Sequence, residues 1–147
     1  MNRSEVIAVL RAVIEARTTA IPRIVGSAAL VIHGIQDECN DLNLYLSPRE
    51  WGILTAHETT VQNAHHPSGS VVRTVLGHQV TFACVQDYVR MWTTQLATDT
   101  EGETSVGITA CVPELGYLLS VYELQHSLNP RDDFAAVIEK IKAKLAA

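Results

Sequence analysis

Apolar residues along the chain recur with two periods, about 3.6 and 2, and the switches between them divide it into helices and strands. Val6, Leu10, Val13 and Ile14 fall at helical spacing and predict a helix over 3–17, with Asn2 and Glu5 placed as a capping pair. Ile21-Pro22 ends that segment, and Arg23-Ile24-Val25 reads as a short strand. Small residues follow, and Ser27 to His33 is expected as a helix whose Ala28, Ala29 and Leu30 approach the sheet closely. Asp41-Leu42-Asn43-Leu44-Tyr45-Leu46 alternates strictly and is the clearest strand of the chain. Ser47-Pro48 then stands as N-cap and first position of a helix running to about His57.

The second half is read in the same way. Thr60 to Ser70, with Asn63, His65-His66-Pro67 and Ser68-Gly69, has the composition of a surface loop. Val71 to Leu76 and His78 to Val85 are two strands about Gly77, a hairpin. Tyr88, Met91, Trp92 and Leu96 predict a helix after Asp87, Thr98 to Glu103 an exposed turn, and Val106 to Cys111 a further strand. Two helices close the chain. The first carries Leu115, Leu118, Leu119 and Tyr122. The second is expected to start at Asn129-Pro130, as cap and first-position proline, with Phe134, Val137, Ile138, Ile141 and Leu145 on one face. The order of elements predicts an α/β (α+β) domain with a small mixed sheet and packed helices, spanning 1–147 as a single unit.

Composition narrows the classes. An apolar share of 47%, a charged share of 18% and a mean hydropathy of +0.11 are those of a compact chain with a core. No apolar run reaches the length of a membrane span, and 1–5 opens an amphipathic segment rather than a signal peptide, so no membrane partner is expected. Cys39, Cys84 and Cys111 are odd in number and widely spaced, which supports neither a disulfide framework nor a zinc knuckle and fits a cytoplasmic setting. The net charge is −5. Between Val25 and Pro130 stand Arg49, Arg73 and Arg90 as the only basic residues against eleven acidic ones, so extended nucleic-acid binding is not expected.

The candidate chemistry sits in residues 23–46. Gly26-Ser27, at a strand-to-helix turn, would present free backbone amides to a phosphate, with Gly26 admitting close approach. The same pair also makes a plain tight turn with Ser27 as N-cap. Asp41 and Asn43, two residues apart on a strand, share one face, and with a second carboxylate such a pair holds one or two divalent ions against a triphosphate. The order strand, Gly-Ser turn, helix and Asp-x-Asn strand resembles the nucleotidyltransferase superfamily, whose second strand reads Asp-x-Asp. Toward the C-terminus, Leu118-Leu119 and the loop Asn129-Pro130-Arg131-Asp132 resemble the closing segment of its small bacterial members.

That resemblance implies a minimal nucleotidyltransferase-like fold, with Gly26, Ser27 and Arg131 binding nucleotide and Asp41 and Asn43 as metal ligands and catalytic positions for Mg2+ and an NTP. The chain departs from the pattern at three places. Asn43 is a neutral amide where the second carboxylate is expected. His78 to Val85 carries no acid where the family places a general base. Tyr122 stands where a phosphate-contacting lysine is expected. The expectation is therefore a degenerate relative, a pseudoenzyme binding a nucleotide or a protein partner in a regulatory or host-interaction role. The alternative is an active Mg2+-dependent enzyme that moves a nucleotidyl group to a small molecule, a protein or an RNA end.

Overall fold

The computed structural model describes residues 1–62, 69–84, 91–96 (as backbone) and 107–147. They form a mixed α/β structure with five helices and one mixed sheet of six strands. In chain order these are α1 (Arg3–Glu15), β1 (Arg23–Val25), α2 (Ser27–Ile32), β2 (Leu42–Leu46), α3 (Pro48–Thr55), β3 (Val71–Val75), β4 (His78–Cys84), β5 (Met91–Leu96), β6 (Ile108–Pro113), α4 (Leu115–Leu128) and α5 (Asp132–Ala146). The strands run across the sheet in the order β3-β4-β2-β1-β6-β5. β1 is antiparallel to β2 and parallel to β6, β2 is parallel to β4, and β3/β4 and β5/β6 are antiparallel.

Local sequence explains most of these boundaries. Asn2 and Glu5 close a capping box at the start of α1, each side chain taking the other's backbone N–H at 2.9 and 3.1 Å. Ser47 and Glu50 repeat that device at α3, with Pro48 at the first position, where its missing N–H has no partner to lose. Between β3 and β4, Leu76 (φ 51°) and Gly77 (φ 79°) both adopt positive φ, the two-residue turn whose twist suits a hairpin.

The alternation of β2 decides the layering. Leu42, Leu44 and Leu46 are buried, as are Ile24 of β1 and Val80 and Phe82 of β4 on the same side of the sheet. They join Val6, Ile7, Val9, Leu10 and Val13 of α1, Ala28 to Val31 of α2 and Leu54 of α3 in one core. The alternate positions of β2, β1 and β4 face the other side. There α4 begins directly after β6, and α5 packs on α4. No helix of the described residues is long and apolar enough to cross a membrane.

The structure differs from the sequence reading at several points. Met91–Leu96 is a strand, not a helix: it pairs residue for residue with Ile108–Pro113, and a ladder of backbone hydrogen bonds outweighs a helical spacing of apolar residues. β6 ends at Pro113, beyond the expected Cys111. Asn129 is the C-cap of α4, held by its N–H to the Gln125 carbonyl at 2.9 Å, so α5 starts later, with Arg131 as its N-cap. Leu145, one turn beyond the buried Ile141 on the same face of α5, is 49% exposed. The expected loop is closed at its base by a bridge between Val61 and Ser70, with paired bonds of 2.7 Å. Asn63, His65, His66, Pro67, Ser68, Val85, Asp87, Tyr88, Arg90, Thr98 to Glu103 and Val106, for which the sequence also carries expectations, lie outside the described residues.

Candidate functional site

The outward face of β2 forms the floor of a cleft of about 640 Å³. Asp41, just before the strand, and Asn43 and Tyr45 within it stand on this face between the buried leucines, all three half-buried. Parallel pairing sets Asn43 beside Thr81 of β4, and Gln79 lies one step along the same face. On the other flank, antiparallel pairing sets Asn43 opposite Val25, the residue before the Gly26 turn. The opposing wall is α4, which contributes Tyr117, Leu118, Val121, Tyr122 and Gln125.

Gly26 is the residue that brings the turn against the strand. It is the N-cap of α2, with φ 70° and ψ −148°, a region open essentially to glycine alone. A Cβ at this position would sit 3.4 Å from Asn43 Nδ2, so the turn and the amide are in contact distance. The structure places Gly26, Asp41 and Asn43 at one cleft. Ser27 is the first residue of α2 rather than its cap, half-buried and outside the described lining of the cleft. Its alternative role as N-cap is replaced by Gly26, which makes no side-chain cap bond.

Arg131 lies apart from the cleft lining. Its guanidinium forms a two-point pair with Asp133, at 2.9 and 2.6 Å, and stacks 4.5 Å over the Phe134 ring. Phe134 in turn meets the Tyr122 ring edge-on at a centroid distance of 5.6 Å. The Arg131 guanidinium thus reaches Tyr122 through the Phe134 ring, while its backbone N–H donates to His126 Nδ1 of α4 at 3.1 Å. Burial, reinforced by the Asp133 carboxylate, pushes the Tyr122 phenol above its ordinary range, so it stays protonated at neutral pH and can donate. Asp37 and Glu38 are exposed and stand outside the lining.

Two cations near the sheet, Arg23 and Arg73, are paired. Arg23 lies 3.5 Å from Glu50, and Arg73 pairs with Glu58 on the core side of β3. His33 is half-buried with Nε2 2.7 Å from the Pro113 carbonyl, to which it must donate. Lys144 of α5 donates to the His33 carbonyl. These contacts tie α2, the end of β6 and α5 together directly beside the start of α4, and so fix the wall of the cleft.

For Mg2+, this floor offers the Asp41 carboxylate and the Asn43 amide. The neighbouring positions on β4 are Thr81 and Gln79, both neutral. A two-ion transfer site needs several carboxylates, and one carboxylate with one amide does not meet that need. Sequence reasoning passed over Tyr45, Gln79, Thr81 and Tyr117. The first three were accessible by carrying the period-2 alternation of Asp41 and Asn43 onward and across to the next strand. Comparison of the chain with protein-family models, with curated proteins and with solved structures gives no match.

Proposed function

We propose that the chain is a nucleotidyltransferase-like domain whose metal site has decayed, a pseudoenzyme that binds a ligand or a protein segment in the cleft without transferring a nucleotidyl group. One observation carries this reading: the Gly26 turn lies against Asn43 beside Asp41, as the superfamily's turn and acidic strand would, yet among the described residues the floor holds a single carboxylate. The parallel neighbour β4, where a general base would be sought, supplies Thr81 and Gln79 instead. Arg131 is committed to Asp133, and Tyr122 offers a hydroxyl and a ring in place of an ammonium. Cys39, Cys84 and Cys111, none of them in a disulfide, suit a reducing, cytoplasmic setting for this role. The retained turn and Asp41 favour, as the second reading, an active Mg2+-dependent nucleotidyltransferase.

Thermal unfolding with each NTP, with and without Mg2+ or Mn2+, separates the two. A ligand that binds only the native state raises the midpoint by mass action. The proposal expects no metal-dependent rise for the wild type and a gain of Mg2+ affinity of at least tenfold for Asn43→Asp, since a second carboxylate about 4 Å from a cation contributes several kcal/mol at an effective dielectric near 20. A metal-dependent rise in the wild type, followed by transfer of labelled nucleotide, would establish the enzyme. An Asn43→Asp variant with unchanged metal affinity would remove the nucleotidyltransferase-like reading of the site.

A further inference from the structure

The described lining of the cleft holds one carboxyl group, Asp41, and no lysine, arginine or histidine. That composition is at odds with a polyphosphate ligand. Bringing several negative charges beside a carboxylate, in a partly dehydrated cleft with no facing cation among the described residues, costs both desolvation and repulsion. The other polar groups are of a different kind. Asn43 and Gln79 each offer an amide donor and an amide acceptor, and Thr81 a hydroxyl that does both. Facing them, Tyr117 and Tyr122 on α4 add flat apolar surface with hydroxyl tips. Amides and hydroxyls on the floor recognise the hydrogen-bonding edge of a heterocycle or the hydroxyls of a sugar. Asp41 accepts two donors at once, and bonds to a charged acceptor are the stronger ones. The cleft's 640 Å³ lies within the range of about 300–1,000 Å³ typical of small-molecule sites.

From this lining we infer that the ligand of the cleft is an uncharged, ring-bearing polar molecule of the nucleoside class, and that the site discriminates against the corresponding nucleotide. The inference rests on the binding role proposed above and names its substrate class. Asp41 is the selective group. It attracts donors from a neutral ligand and repels phosphate, so its charge acts in opposite directions on the two ligand types.

Isothermal titration of the full chain with the four ribonucleosides and with their 5′-triphosphates, each with and without Mg2+, tests this. At least one nucleoside is expected to bind, with its triphosphate at least tenfold weaker in either condition. Asp41→Asn is expected to weaken the nucleoside about tenfold or more, the usual scale for a hydrogen bond to a charged group. Gln79→Arg places a cation at an exposed strand position and is expected to narrow the gap between triphosphate and nucleoside. A triphosphate that binds tighter than its nucleoside, or an Asp41→Asn variant that binds the nucleoside tighter, would overturn the ligand class while leaving the cleft a binding site. Absence of binding for every nucleoside and every triphosphate would overturn both this inference and the role of the cleft as a nucleotide-related site.

Discussion

Gly26→Ala is the sharpest test of how the site is built, because backbone conformation and packing predict different costs. At φ 70° and ψ −148° the residue occupies a region that L side chains almost never adopt. The added Cβ would sit 3.4 Å from Asn43 Nδ2, an ordinary van der Waals distance, so steric overlap contributes little. The cost is therefore the backbone strain, of order 1–3 kcal/mol. For a chain of 147 residues this corresponds to a fall in Tm of roughly 3–9 °C. Gly52→Ala supplies the matched control. Gly52 lies inside α3 with open space around its Cα, so alanine is expected to stabilise by about 0.5–1 kcal/mol and raise Tm by a few degrees. Differential scanning calorimetry of the two variants beside the wild type reads both signs in one experiment. If Gly26→Ala melted within a degree of the wild type, the turn would not hold the strained conformation that brings it to Asn43. If both variants fell equally, the loss would come from alanine as such and not from the backbone of the turn.

Two further outcomes follow from the same physics. Glu50 is pushed up by burial, but hydrogen bonds from the Ser47 and Ala20 backbone N–H groups outweigh that and hold its carboxyl below the ordinary range. Its stabilising effect is thus full above the ordinary glutamate value and fades as pH falls beneath it through the lower folded value. Glu50→Ala, which opens the α3 capping box and frees Arg23, is expected to cost about 0.5–2 kcal/mol near neutral pH. Urea unfolding should find the difference from wild type shrinking in acid, and a constant difference would refute the linkage. Leu76, 63% exposed at φ 51°, pays for a left-handed conformation without burying its side chain. Leu76→Asn creates the Asn-Gly pair such hairpin turns favour and is expected to add about 0.5–1 kcal/mol, while a lower urea midpoint would contradict the turn assignment.

The sequence by itself determined those elements whose stabilisation is local. The capping boxes at Asn2-Glu5 and Ser47-Glu50, the turn at Gly77 and the alternation through Asp41 to Leu46 were all legible, because each draws on side chains within a few residues of one another. Gly26 and Asp41 could be placed on opposite sides of a short helix from spacing alone. What tertiary structure decided was everything set by pairing between distant segments. Met91–Leu96 carries a helical spacing of apolar residues, yet becomes a strand because β6 offers it a ladder. Asn129-Pro130 looks like a helix start, but its amide is taken by the helix before it. The cleft itself is a product of register: Thr81 and Gln79 reach Asn43 and Asp41 because β4 lies parallel beside β2, and Tyr117 and Tyr122 face them because α4 leaves the end of β6 on that side of the sheet. Period tells which residues share a face of one strand. Only the pairing of strands far apart in the chain tells which faces meet, since one residue of slip would turn the whole polar row into the core.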